Sequence, residues 1–239
     1  MKLLWSTELD YVTRSASYYE GKFVQGIDSV IYHFTQTFTP LLETKFTLDG
    51  KIIYSKSYAF EDERRAYPNS ERYPTKPHVY GHLSNDSFTF GEYVVSHKGE
   101  FGYQCHKNGK LIWTKSLWAY LYTEIELIGE NIVFGTAGHG GHFYSINLSS
   151  GETVIDINTK GTSLYYFDGE YFYIIVRNQK NSDLLKLSTT GEIVESVRME
   201  GLYFDYECPF DKCDDRFYIV TLRQSRNGDL RPIINCISL

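Results

Sequence analysis

The chain has 239 residues and a formal net charge of −6, and its 42% hydrophobic content includes 21 Tyr and 15 Phe. No run of 18 apolar residues occurs, which excludes a spanning helix, and Leu3-Leu4-Trp5 with Glu8 and Asp10 behind it is too short for a secretion signal, so a cytoplasmic chain is expected. The acidic balance argues against nucleic acid as a partner.

Residues 1–9 (MKLLWSTEL) alternate as a strand does, with no turn before them. Residues 11–19 read as a first inner strand ending at the turn Glu20-Gly21-Lys22. More residues than one strand needs lie between Phe23 and Pro40. Residues 44–48 lead into the turn at Gly50, after which the chain continues Lys-Ile-Ile-Tyr54. Residues 59–86 hold Pro68, Pro74 and Pro77 among many charges and read as a long loop. Residues 102–106 lead into Asn108-Gly109-Lys110 and on to Trp113. Residues 142–148 lead into Ser150-Gly151-Glu152 and on to Ile155. Residues 184–187 lead into Thr190-Gly191-Glu192 and on to Glu195. The chain ends on the apolar strand 232–239 (PIINCISL), with no turn after it.

An alternating strand, a glycine turn and a second strand whose docking residue lies four places past the glycine form one unit, recurring at roughly 40 to 60 residues. A second turn precedes each unit: Gly91-Glu92, Gly129-Glu130, Asp168-Gly169-Glu170 and Asp214-Asp215. Joined head to tail, residues 232–239 and 1–9 complete one more copy, in which Trp5 takes the place of Trp113. The expected fold is all-β: a single five-bladed β-propeller domain of four-stranded antiparallel blades, its last blade completed by the N-terminal strand. That closure removes an open edge.

In such a blade the first-to-second and third-to-fourth turns share one face of the disc. The second-to-third turns and the connections between blades share the other. The first kind is minimal throughout (DGK, NGK, SSGE, TTGE), so the extra length falls on the second face, which is expected to be the working face. Cations gather there: Arg177, Lys180, Arg223, Arg226 and Arg231, with Asp183 and Asp229 as the nearby acids, and Arg64 and Arg65 in the insertion. Trp118, His139 and His142 are assigned to the same face. Arginine on one rim of an acidic protein suits a protein partner or an anionic small ligand.

The alternating strand followed by Ser/Thr/Asn-Gly-Lys/Glu, two residues and an aromatic resembles the pyrroloquinoline-quinone-type propeller repeat. Tyr144-Ser145-Ile146-Asn147, Ser150-Gly151-Glu152 and Ile155 carry the likeness, with Asn108-Gly109-Lys110 and Trp113, and Thr190-Gly191-Glu192, matching in part. The resemblance implies that Trp113 and Trp5 dock against a neighbouring blade. It does not imply the quinone cofactor: members that bind it commonly carry adjacent paired cysteines, and this chain has no Cys-Cys pair. No cofactor is expected.

Chemistry-bearing constellations are sparse. His139 and His142 (H-x-x-H) read better as a glycine-joint cap than as metal ligands. The four cysteines, 105, 208, 213 and 236, read as structural thiols rather than a disulfide framework. Carboxylates for a propeller hydrolase would lie on the innermost strands, where Glu124, Glu126, Asp205 and Glu207 are available, with Arg14 and His82 in the same layer. Glu124 and Glu126 would share one side of a strand. No nucleophile elbow, phosphate loop or dinucleotide fingerprint is present. The expected function is a non-catalytic binding propeller, monomeric, with a partner-neutralising, immunity-type role compatible. A carbohydrate-active enzyme or lectin using the central channel is the alternative.

Overall fold

The computed structural model describes residues 1–10, 19–36, 39–58, 87–98, 102–117, 120–121, 123–137, 140–161, 163–202, 210–224 and 230–239. In chain order its strands are β1 (Lys2–Glu8), β2 (Tyr19–Gln25), β3 (Ser29–Gln36), β4 (Thr39–Thr47) and β5 (Ile52–Tyr58). β6 (Ser87–Phe90), β7 (Tyr93–Lys98), β8 (Gly102–Lys107) and β9 (Lys110–Ser116) come next. β10 (Tyr120–Leu121), β11 (Glu126–Ile128), β12 (Asn131–Ala137), β13 (His142–Asn147) and β14 (Thr153–Asn158) follow. β15 (Tyr165–Phe167), β16 (Phe172–Arg177), β17 (Asn181–Leu187) and β18 (Ile193–Glu200) precede β19 (Phe210–Cys213), β20 (Arg216–Gln224) and β21 (Leu230–Ser238). Among the described residues the fold is all-β, and each sheet takes its strands in sequence order: β2 to β5, β6 to β9, β15 to β18, and β10 or β11 through β14. The remaining sheet has the order β1-β21-β20-β19, so the first strand of the chain lies beside the last.

The chain divides into two compact units. One comprises Met1–Pro74, Arg177–Asp183 and Ser196–Leu239, the other Thr75–Val176 and Leu184–Glu195.

In the first unit β1 pairs antiparallel with β21 from Lys2 opposite Ser238 to Glu8 opposite Ile233, with a bulge between Leu3 and Trp5. β21 has β20 on its other side, and from Pro232 to Ile237 every residue is buried. A continuous apolar run such as PIINCI is what a strand covered on both faces requires. Its one amide, Asn235, is fully buried and satisfied: it donates to Thr221 Oγ1 at 2.9 Å and accepts from Ser6 Oγ at 2.7 Å. A one-residue slip of β1 would remove Ser6 from Asn235 and turn Trp5 to the opposite side, so this polar contact pins the register.

The Trp5 ring stacks on Phe46, 5.9 Å between centroids, and tilts on Tyr218 at 6.1 Å. Its Nε1 donates to Leu48 O at 2.9 Å. The turn beneath it needs glycine twice over. Gly50 has φ +84°, and a Cβ there would come within 2.4 Å of Trp5 Cδ2.

The second unit repeats the device. Trp113 of β9 is buried, donates from Nε1 to Leu148 O at 2.9 Å, and lies over Gly151 (φ +74°), whose Cβ would fall 2.6 Å from Trp113 Cγ. Ile155 of β14 meets Gly191 in the same manner, at 3.1 Å. Both tryptophans therefore dock on the glycine turn of another sheet, as the repeat resemblance implied. The core around Trp113 contains Val95, Tyr103, Phe134 and Tyr144, and a further cluster joins Val133, Phe143, Ile155, Phe172 and Leu187.

The four glycine turns lie between strands as expected, as do Gly91-Glu92, Gly129-Glu130, Asp168-Gly169-Glu170 and Asp214-Asp215. The first sheet differs from expectation. Glu20-Gly21-Lys22 is not a turn but the interior of β2, paired with Thr35, Phe34 and His33. The reversal comes at residues 26–28, where Gly26 N donates to Ser29 O at 2.7 Å and Ile27 is fully exposed. The stretch expected to be extra between Phe23 and Pro40 therefore holds the end of β2, the reversal and β3, which pairs with β2.

Candidate functional site

Within each sheet the two ends of the strands are built differently. At the glycine-turn end, polar side chains close their own turns. Thr47 Oγ1 accepts from Lys51 N at 3.0 Å. Asn147 Oδ1 accepts from the amides of Ser149 and Ser150 at 3.1 and 3.0 Å. Ser188 Oγ accepts from Glu192 N at 3.0 Å. Asp168 Oδ1 takes the amides of Glu170 and Tyr171 at 2.9 and 2.7 Å, and its Oδ2 takes the Tyr173 hydroxyl at 2.8 Å. Burial alone would raise the Asp168 carboxyl; the amides of Tyr171 and Glu170 and the Tyr173 hydroxyl outweigh it and hold the group below its ordinary value.

At the opposite strand ends of the first unit, charged side chains bond to one another. The hairpin of β20 and β21 extends further than expected, with Arg223 directly opposite Arg231, so both arginines stand on strand ends rather than in a loop. Arg223 donates through Nη1 to Glu8 and through Nη2 to Glu200. Arg231 Nη1 reaches the other Glu8 oxygen at 3.5 Å. Glu8 ends β1 and Glu200 ends β18, so three strands converge on one guanidinium. Asp229 lies outside the described residues, and among them the acids bonded to these arginines are thus Glu8 and Glu200, while Asp183 is occupied elsewhere. It receives Arg198 through Nε at 2.8 Å and Nη2 at 3.2 Å, and also the Asn178 amide. Arg177, half-buried, precedes the tight turn in which Asn178 N donates to Asn181 O at 2.8 Å, and Lys180, exposed, lies within it.

The side chains of Arg223 and Arg231 remain 51% and 43% exposed. Pairs this open add little stability, but they fix where the guanidinium planes point. Each arginine keeps N–H donors beyond those bonded to the glutamates. Chemically the cluster is an oriented set of donors suited to carboxylate or phosphate oxygens.

In the second unit His142 opens β13, held by Thr136 Oγ1, which accepts from His142 N at 2.8 Å. Its Nδ1 lies 2.5 Å from Asp156 Oδ1 of β14. The ring stacks on Tyr144, 5.4 Å away and 9° from parallel. Burial, and then the charge of Asp156, pushes the Tyr144 hydroxyl up to about 12. The partner of His142 is thus a carboxylate across the hairpin. Of the two acids expected on one strand, Glu124 is exposed ahead of β11 and Glu126 begins it, and the charges of both bear on the Tyr165 hydroxyl. Glu126 accepts from the Tyr165 hydroxyl at 2.9 Å, and burial together with that negative charge drives Tyr165 well above its ordinary value.

Arg14, Arg64, Arg65, His82, Trp118, His139, Asp205, Glu207 and Arg226 lie outside the described residues, as does the loop 59–86. Among the described residues no three His, Cys, Asp or Glu side chains are grouped to hold a metal ion. Cys105 and Cys236 are free thiols, and burial pushes Cys236 up to about 11.

No family model matches the chain, and no curated protein matches it. Among solved structures, BamB from Moraxella catarrhalis aligns at 9% identity and a TM-score of 0.39, over 95% of this chain and 60% of that one. The AfRom2 CNH domain aligns at 9% identity and a TM-score of 0.33, over 94% of this chain and 65% of that one. This chain therefore spans less than two thirds of either protein's length.

Proposed function

We propose that the chain is a non-catalytic binding protein: a five-bladed β-propeller, closed by β1, that holds a protein or an anionic ligand against its charged strand ends. Recurrence of one sheet plan supports the ring, as do the tryptophan docks on Gly50 and Gly151 and the seat of β1 beside β21. The observation that carries the binding reading is the cluster of Arg223, Arg231, Glu8 and Glu200. Its arginines are oriented by neighbouring carboxylates yet half open to solvent. A partner bearing carboxylates or phosphates would meet donors already in place, which lowers the ordering cost of association.

The test is a pull-down from native lysate with the intact chain as bait, repeated over a salt series. The reading expects a specific partner whose capture weakens as salt rises and falls when Arg177, Lys180, Arg223 and Arg231 are replaced by Ser. Capture that is indifferent to both changes would overturn it.

A further inference from the structure

Two carboxylates hold the arginines of the strand-end cluster, and they are built unlike each other. The Glu8 side chain is 29% exposed, and both its oxygens are engaged, one by Nη1 of Arg223 and the other by Nη1 of Arg231. The two arginines stand directly opposite each other on β20 and β21, where like charges repel. The bridging carboxylate offsets that repulsion and sets the two guanidinium groups side by side. The Glu200 side chain is 64% exposed, and among the described residues it bonds only to Nη2 of Arg223.

The backbone at Glu200 is held independently of that carboxylate. Thr221 Oγ1 donates to Glu200 O, and Leu202 and Leu222 exchange two backbone bonds at 2.8 Å. Gly201, between them at φ +82°, has no room for a Cβ, which would fall 2.9 Å from Leu222 O. The Glu200 side chain can therefore turn out into water about its own torsions while its strand stays in place. Glu8 cannot leave without removing the bridge between the two arginines. With Glu200 turned out, two cations face one anion.

An incoming anion has to displace Glu200, whose tether keeps it beside Arg223 at an effective concentration in the millimolar range. A foreign carboxylate offers the same two oxygens and the same single charge, so it gains nothing over the group it replaces. A phosphate monoester brings a charge of about −1.5 to −2 and three acceptor oxygens, so it can bond Arg223 and the uncommitted donors of Arg231 together. A phosphodiester carries one charge only, and the chain's net charge of −6 opposes a polyanion.

Resting on the binding reading above, we infer that Glu200 is an internal occupant of the anion site, displaced by a phosphorylated segment of a partner protein, while Glu8 is the strut that aims both arginines. Glu200 weakens every anion by the same factor, so only one that binds the arginines more strongly than a carboxylate competes with it.

Chemical-shift titration of the intact chain at low salt, with N-acetyl-O-phosphoserine amide, N-acetyl-aspartate amide and dimethyl phosphate as probes, tests this. The native chain should bind the phosphoserine probe with a Kd on the order of 1 mM, and the other two about tenfold more weakly. Glu200→Gln should tighten the phosphoserine and aspartate probes alike, by about tenfold, because the tethered competitor is gone. Glu8→Gln removes the same charge but should tighten neither, because the arginines lose their bridge. Both variants should melt within a few degrees of the native chain. Equal tightening by the two variants would reduce the cluster to bulk charge and overturn the inference. So would native binding of the aspartate or dimethyl phosphate probe as tight as that of phosphoserine, or no phosphoserine binding at about 10 mM. Phosphatase treatment of the lysate before the pull-down separates this inference from the reading beneath it, and should abolish capture. Capture that survives phosphatase yet is lost with the arginines would overturn the inference and leave strand-end binding standing; capture indifferent to the arginines would overturn both.

Discussion

The turn between β13 and β14 and the strand ends at Arg223 are both polar, exposed and well bonded, yet they use their polar groups differently. At the turn, Asn147 closes onto the amides of Ser149 and Ser150, and Gly151 lies flat beneath Trp113. The side chains there satisfy backbone of their own turn, and the ring above seals it. At the strand ends, Arg223, Arg231, Glu8 and Glu200 satisfy one another, and the backbone does not depend on them. The first region ties side chains to the fold's own backbone; the second ties side chains to one another, as the proposed binding role needs. Substitutions separate the two.

The largest effect is expected from Trp113→Ala. It removes a buried ring and the donor to Leu148 O, and should cost about 3–5 kcal/mol in chemical denaturation, a large share of the margin of a typical domain. Next comes a matched pair of glycines. Gly109 (φ +77°) and Gly151 (φ +74°) share a backbone conformation, but an added methyl at Gly109 meets nothing within 4 Å. Gly109→Ala should cost about 1–2 kcal/mol for the left-handed backbone alone, and Gly151→Ala about 1–3 kcal/mol more for displacing the ring. Equal losses would mean that Trp113 does not rest on that turn.

Asp168 gives a smaller effect with a pH signature. Its folded pKa lies below the ordinary value of 3.8, so its stabilisation is complete above that value. It is lost as pH falls through the folded pKa. Asp168→Ala should therefore lower stability by about 1 kcal/mol at neutral pH, and the gap to the native chain should narrow below pH 4. Denaturation midpoints at pH 7 and pH 3 measure this. The smallest effect on stability belongs to the strand ends: replacing Arg177, Lys180, Arg223 and Arg231 together by Ser should shift the melting temperature by only a few degrees, because exposed ion pairs contribute about 0–1 kcal/mol each.

Legibility in the sequence follows the same division. Gly50, Gly109, Gly151 and Gly191 could be read because a local backbone need writes itself into neighbouring residues. The seat of β1 beside β21 could be read because two unmatched strands stood at the termini. Glu20-Gly21-Lys22 misled because it has turn composition inside a strand, whereas the real reversal, at residues 26–28, is disguised by the exposed Ile27. The charged cluster was half legible. Its arginines stood out as a group, but Glu8 lies more than two hundred residues from Arg223 and reaches it only through strand pairing. Aligning β1 against β21 in register would have brought Glu8 near Arg231. Asp156 was hidden from His142 in the same way, across a hairpin rather than along the chain.

The central claim is that binding resides at the charged strand ends and not at the glycine turns. The most direct measurement compares partner capture by three proteins: the native chain, the variant with Arg177, Lys180, Arg223 and Arg231 replaced by Ser, and a variant with Lys51, Glu152 and Glu170 replaced by Ser. All three should melt within a few degrees of one another. The account predicts that the strand-end variant loses capture while the turn variant keeps it. Loss of capture in the turn variant, with the strand-end variant binding as the native chain does, would contradict it.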